Sequence, residues 1–590
     1  MVVQPRRRGS RRGGEKSGGT MSAGNASASE TSTNGQVDLA EQATEGLLGP
    51  NPFVGLRVED IVTSFRAIGE QAMLHPMLVV EQEAALIREL VAVMAGKSEL
   101  APPKGDKRFG DEAWQENPLY RMVLQGYVAW TNAILGFVDR SALDERTKDR
   151  ARFAVSLMTD ALAPTNTLLG NPAALRKTWE ERGQNLANGL KNLIDDVNNN
   201  GGLPSQVDKK AFTVGDNLAL SPGKVVFRNP VLELIQYSPT TDTVYERPHL
   251  IVPPEINKFY VFDLSPGKSM VEYMVGHGLQ MFAVSWRNPT AEHRDWGMGA
   301  YVAALEEAIA AVREITGSPD LIVHAACSGA MTAAALAGHL VERGDASIHA
   351  MVMMVAVLGQ TSEGTLSLFA TDETTAAAKL KSQTAGVLDG MEMNRIFAWL
   401  RPNDLVWNYW VNNYLLGNAP PAFDILYWSN DATRLPAAFH AEILDMFADN
   451  RLLRPGVMKV LGKPIDLSKV TCDMMFVAGV TDHITPWKGV YDSARAFGGK
   501  TDFILSSSGH IQSLINPPTS KKAKYFLNPQ LGPSADDWLK HATPVGGSWW
   551  GLWQTWSSKR SGSRRSAPAT LGSERFQPIG SAPGSYVREP

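Results

Sequence analysis

Cysteine occurs only twice in the 590 residues, and one copy, Cys327, stands in the stretch LIVHAACSGAMTAAALAG, residues 321–338. A thiol placed to react needs a base within hydrogen-bonding reach and a carboxylate to orient that base. Two later stretches offer them. MMFVAGVTDHITPW is an apolar run followed by a loop carrying Asp482, and TDFILSSSGHIQSLINPP is another such run followed by Gly509 and His510. Thiolate attacks thioesters well and exchange between thioesters is nearly neutral in energy, so the chemistry indicated is acyl transfer from a thioester through Cys327.

The elements that must position these groups follow from the same stretches. Leu321 to Ala326 reads as a strand, the small residues around Cys327 as a tight turn, and the alanine-rich run as a helix. A strand-to-helix turn exposing one nucleophile is the elbow of α/β hydrolases, usually Gly-x-Ser-x-Gly; here it is Ala325-Ala326-Cys327-Ser328-Gly329. That fold orders its groups nucleophile, acid, histidine, with the last two on loops after late strands. Cys327, Asp482 and His510 obey this order. Each alone has a plainer reading: a buried cysteine, a capping aspartate, a loop histidine. Within this fold the Ser328 N–H serves as one oxyanion donor, with Leu264 or Ser265 as candidates for the second. Cys472, at the start of a strand, reads as structural; His483 supports the acid loop, and His324 belongs to the core.

Composition agrees with a globular enzyme. Hydrophobic residues make up 44% and charged residues 20% of the chain, and the net charge of -4 leaves no nucleic-acid footprint. Two cysteines build no disulfide framework, which suits a reducing cytoplasm. No run approaches the roughly 18 apolar residues of a membrane span. The basic opening lacks the apolar stretch of a signal peptide, and Met21 is an alternative start.

Residues 1–45 are Gly-, Ser- and Asn-rich and read as a disordered arm. Residues 46–223 carry apolar positions at three- and four-residue spacing, a mainly helical domain ending near NNNGG. From about Lys224 to Trp556, short apolar strands alternate with helices, the pattern of a parallel sheet covered on both faces. An aromatic-rich helical insertion at about 358–463 interrupts it where a cap over the site would sit, and residues 557–590 read as a loosely ordered tail. The fold class expected is therefore α/β: an α/β-hydrolase fold with a helical cap, preceded by a helical domain.

Several longer blocks carry a family resemblance. PPEINKFYVFDLSPGKSMVEYMVGHGLQMFAVSWRNP, the ACSGA elbow, NDLVWNYWVNNYLLGNAPPAFDILYWSNDATRLP, VAGVTDHITPW, SSSGHIQSLINPP and GSWWGLWQTW resemble, in order, the signatures of poly(3-hydroxyalkanoate) synthases. The likeness runs from about Asn51 to the end, and the wording of NKFYVFDLSPGKS and ACSGA is most similar to the class II, medium-chain type. The resemblance implies an acyltransferase that polymerises (R)-3-hydroxyacyl-CoA into polyester and releases CoA. Cys327 would carry the acyl group and His510 act as base. Asp482 would either assist His510 or activate the incoming 3-hydroxyl. It further implies no metal or redox cofactor, CoA thioester being the substrate. The partners implied are the growing polyester, the granule surface and a second copy in a homodimer, in the cytoplasm at storage granules. A short-chain synthase, a thioesterase or depolymerase on the same fold, and an inert granule-coating protein are the rival readings.

Overall fold

A computed structural model describes residues 58–104, 106–359 and 370–590. The N-terminal arm, the choice between Met1 and Met21 and the first part of the insertion lie outside the described residues. The first described helices are α1 (Val58–Leu74), α2 (Pro76–Met94), α3 (Pro118–Arg140), α4 (Glu145–Ala161) and α5 (Gln184–Asn199). Two of them start on side-chain caps: Asn117 accepts the N–H groups of Leu119 and Tyr120, and Asp144 accepts that of Thr147. Phe109, Trp114, Leu124 and Val128 form a small satellite core here.

The main sheet has eleven strands. They are β1 (Gly223–Arg228), β2 (Leu232–Tyr237), β3 (His249–Val252), β4 (Met281–Trp286), β5 (Leu321–Ala326) and β6 (Ile348–Met354), followed by β7 (Asp473–Gly479), β8 (Thr501–Ser506), β9 (Lys524–Leu527), β10 (Thr543–Gly546) and β11 (Gly580–Ser581). Their spatial order is β10-β9-β8-β7-β6-β5-β3-β4-β2-β1-β11. The centre, from β4 to β8, is parallel, and antiparallel strands extend it on both sides. Central strands such as β2, β3, β4 and β5 are buried at every position, as a sheet covered on both faces requires. This is the α/β-hydrolase arrangement.

Helix α6 (Met298–Thr316) precedes β5, and α7 (Cys327–Glu342) leaves it. Every residue of α7 from Cys327 to Leu340 is buried. A helix apolar all round belongs inside a protein, and alanine lets its neighbours approach closely. Between β6 and β7 the chain leaves the sheet for a mostly helical insertion. Tyr409 and Trp428 are buried within it, and Trp428 Nε1 donates to the Lys258 carbonyl at 2.7 Å. The helical domain grips this insertion directly: Tyr414 Oη donates to Asp196 at 2.8 Å, and Asn185 Nδ2 to the Leu415 carbonyl at 2.8 Å. Arg108 joins Asp160 at 3.1 Å to Asn403 at 2.9 Å.

The C-terminal segment is not a loose tail. Arg564–Ser566 pairs with Thr243–Tyr245, and β11 pairs with β1 at Lys224–Ser581 and Val225–Gly580. The fully buried Glu233 carboxylate then accepts the Ser585 N–H at 2.8 Å, the Ser585 hydroxyl at 2.7 Å and the Tyr586 N–H at 2.9 Å. A Ser/Arg/Pro-rich composition suggests looseness because it lacks apolar periodicity. Here the segment instead covers an edge strand and supplies hydrogen-bond donors to a buried carboxylate, roles that composition does not record.

Candidate active site

Cys327 opens α7 directly after β5, with φ of 50°. That left-handed conformation is costly for a residue with a Cβ, and the surrounding core must hold it. The first elbow position, Ala325, lies inside β5, paired with Val252 and Met353, where an alanine side chain is ordinary. The second cannot be replaced so easily. A Cβ on Gly329 would strike the Pro253 carbonyl oxygen and stand 2.7 Å from that of Val252. The main chain therefore demands glycine at 329 and tolerates alanine at 325.

Asp482 follows β7, and His510 follows β8 at the start of a short helix, so the parallel strands deliver both to the same edge of the sheet as Cys327. Asp482 Oδ2 lies 2.7 Å from His510 Nδ1, with both side chains buried. Cys327 is close enough to His510 to act on its charge. Burial works against a charged His510, but the adjacent Asp482 carboxylate outweighs it and, with the Cys327 contact, pushes the imidazole up to about 10. Asp482 is likewise penalised by burial, yet His510 and Thr485 hold its carboxyl below the usual range. The three residues singled out in the sequence are thus in one cluster.

Thr485 escaped the sequence reading. Its hydroxyl donates to Asp482 Oδ2 at 2.7 Å, while Asp482 Oδ1 accepts the N–H groups of Ile484 and Thr485, each at 2.9 Å. The signal was the Asp-x-x-Thr spacing, which reads equally as a helix cap. The helix itself begins at Trp487 with Pro486 as its cap, so Asp482 closes its own loop instead.

The two residues expected to offer the second oxyanion donor lie on a loop tied to neighbouring elements. Leu264 turns its carbonyl to the Ala219 N–H, and Ser265 donates to Asp424 at 2.7 Å. The segment lying on Ser328 and Gly329 is Val252–Glu255, whose Glu255 N–H donates to Ser328 Oγ at 3.1 Å. His324 is a core residue: Trp553 Nε1 donates to its Nδ1 at 3.1 Å, and its Nε2 lies 2.7 Å from His249 Nδ1. His483 is pulled down to about 4 by burial, and its Nε2 has no partner. Cys472 has none of this machinery; burial pushes its thiol up to about 11, and its nearest sulfur partner is Met474 at 3.8 Å. Among the described residues no group of three or more His, Cys, Asp or Glu is arranged to hold a metal ion, and no helix is long and apolar enough to cross a membrane.

Comparison with known proteins adds to this geometry. Residues 105–274 match the family described as "Poly-beta-hydroxybutyrate polymerase (PhaC) N-terminus", and residues 259–517 match the α/β hydrolase fold. Over 552 residues, 94% of this chain and 99% of the relative, the sequence is 49% identical to poly(3-hydroxyalkanoate) polymerase 1 of Ectopseudomonas oleovorans. The chain belongs to the poly(3-hydroxyalkanoate) polymerase family. Polymerase 2 of the same organism is 49% identical over 91% of this chain and 96% of its own length. The polymerase subunit PhaC of Cupriavidus necator is 38% identical over 84% of this chain and 85% of its own length. For this polymerase-family chain, the matched hydrolase-fold segment contains Cys327, Asp482 and His510.

Proposed function

We propose that the chain is an acyltransferase that polymerises (R)-3-hydroxyacyl-CoA into polyhydroxyalkanoate through an acyl-Cys327 intermediate. The observation that carries this reading is the strained Cys327 turn meeting the buried Asp482–His510 pair, in a chain 49% identical to a named polymerase over nearly its whole length.

In the first half-reaction His510 Nε2 takes the thiol proton, and sulfur attacks the thioester carbonyl. The carbonyl oxygen becomes an oxyanion near the Ser328 N–H, an unpaired donor in the first turn of α7. Collapse expels CoA thiolate, which leaves with the proton held on His510. In the second, His510 removes the proton from the 3-hydroxyl of an acceptor unit, whose oxygen attacks the acyl-Cys carbonyl. An ester forms, and the Cys327 sulfur leaves as thiolate and takes the proton back from His510, so atoms and charge balance without an oxidant. Within the Val252–Ile256 segment residues 253 and 254 are prolines and the Glu255 N–H is taken by Ser328 Oγ, so Ile256 joins Leu264 and Ser265 as a candidate for the second oxyanion N–H. Both Asp482 oxygens are occupied by Ile484, Thr485 and His510, which favours orienting His510 over direct activation of the hydroxyl.

The preference for medium-chain monomers rests on the class II wording of the elbow and of the segment after β3. Contact with a granule surface or a second copy is supported by α2, whose Met77, Val80, Ile87, Val91 and Met94 are exposed at near-heptad spacing. Cytoplasmic granule association follows from that reading.

The test supplies (R)-3-hydroxydecanoyl-CoA or (R)-3-hydroxybutyryl-CoA to the purified chain and follows free CoA and insoluble polyester, with Cys327→Ala as control. Polyester from the ten-carbon substrate, absent in the variant, is the expected result. Polyester only from the four-carbon substrate makes it a short-chain enzyme. CoA release with free hydroxy acid makes it a thioesterase, and no turnover by either substrate leaves a coat protein.

A further inference from the structure

One buried acid behind the nucleophile takes no part in the chemistry above. Glu255 follows β3 and is 2% exposed. Its N–H donates to Ser328 Oγ at 3.1 Å, and its carboxyl oxygen Oε1 accepts from Thr332 Oγ1 at 2.7 Å. One residue thus holds two successive turns of α7 immediately after Cys327. Its main-chain carbonyl accepts the hydroxyl of Thr433 in the insertion, and the Ile256 carbonyl accepts the Thr433 N–H at 3.1 Å. Glu255 is therefore the point where the loop after β3, the nucleophile helix and the cap insertion are joined.

The surroundings of its carboxyl suit an acid better than an anion. Oε2 is buried with no hydrogen-bond partner. The groups facing the carboxyl are the hydroxyls of Ser328 and Thr332 on α7 and the phenol of Tyr301 on α6; none of them is a cation. A buried carboxylate with half its acceptors unfilled and no counter-charge is costly, whereas the protonated group is tolerated.

We propose that Glu255 is a positioning residue for the nucleophile turn, holding Ser328 and Thr332 against the loop after β3, and that it works uncharged. This rests on Cys327 being the acyl carrier. A negative charge at Glu255 would stand behind the Ser328 N–H and oppose the oxyanion forming in front of it. Burial raises the Glu255 carboxyl to about 7, more than the Ser328 and Thr332 hydroxyls lower it, so the charge would appear within the ordinary working range.

The experiment compares wild type, Glu255→Gln, Glu255→Ala and Cys327→Ala as full-length purified chains. CoA release from (R)-3-hydroxydecanoyl-CoA and (R)-3-hydroxybutyryl-CoA is followed between pH 6 and 9. Gln keeps the shape and the acceptor but cannot ionise. The expected result is a wild-type kcat that falls at least threefold, relative to Glu255→Gln, as pH rises from 6.5 to 8.5. At pH 6.5, Glu255→Ala loses about tenfold in kcat with KM within twofold, and Gln recovers at least fivefold of that loss. Superimposable wild-type and Gln profiles overturn the proposal, as does an Ala variant within twofold of wild type. If the Ala variant does not fold, the wild-type and Gln profiles decide alone. A wild type that releases no CoA sinks the acyl-transfer reading itself, an outcome distinct from an active wild type indifferent to residue 255.

Discussion

Asp482 Oδ2 and His510 Nδ1 stand 2.7 Å apart in a fully buried pair, reached from the ends of two adjacent parallel strands. The contact fixes the imidazole tautomer, leaving Nε2 for the thiol. Asp482→Asn keeps the shape but loses the charge and offers an amide to Nδ1. Its kcat for CoA release is expected to fall at least about 10²-fold with the far-UV spectrum unchanged. A loss below tenfold would remove Asp482 from the reaction.

Thr485→Val replaces a hydroxyl by a methyl of similar size. Asp482 keeps its two main-chain donors and loses one of its two partners at Oδ2. The expected cost is about 1 kcal/mol in orienting His510, a kcat reduced between threefold and tenfold with KM unaltered. Steady-state kinetics on either substrate checks it.

The pair also predicts how stability changes with pH. His510 has a folded-state value above its ordinary one, so its contribution is fully present below about 6.5 and is lost as pH climbs towards about 10. Asp482 is shifted the other way, and its contribution is lost as pH falls below the usual carboxylate range. Denaturant unfolding of wild type and His510→Gln at pH 6, 8 and 10 should show the wild-type advantage shrinking at each step. A constant difference would mean that the ion pair does not form.

Two elbow substitutions should behave oppositely. Gly329→Ala drives a methyl into the main-chain oxygens of Pro253 and Val252, neither of which can swing away, and should cost about 3 kcal/mol in unfolding free energy. Ala325→Gly removes only a small side chain from β5 and should cost about 1 kcal/mol. Equal effects would contradict the close approach of the two segments.

Ending the chain at Leu571 removes β11 and the three donors that Ser585 and Tyr586 present to Glu233. Arg228 remains as a partner at 2.5 Å but is itself half-exposed. The truncated chain should unfold several degrees lower and aggregate through the uncovered edge of β1. Unchanged thermal unfolding would show the C-terminal segment to be dispensable.

The order and local setting of the reactive groups were legible in the residues alone. An apolar run, a small-residue turn around Cys327 and an alanine-rich helix dictate strand, elbow and helix, because backbone sterics and burial act over a few neighbours. The same holds for Asp482 and His510, each just past an apolar strand. Thr485, Glu255 and the Val252–Ile256 segment were not legible as parts of the site, since nothing in their spacing tells which distant atoms they will meet.

The C-terminal segment marks the same boundary. Its composition is polar at every scale a sequence window samples, yet it completes the sheet edge and satisfies Glu233. Short-range pattern determined which elements form and which side chain each exposes at its end. Tertiary structure alone decided which loop lies over the nucleophile, which hydroxyl completes the acid and which buried carboxyl stands behind Ser328. Those contacts join residues far apart in the chain, and their energy exists only once the core has closed around them.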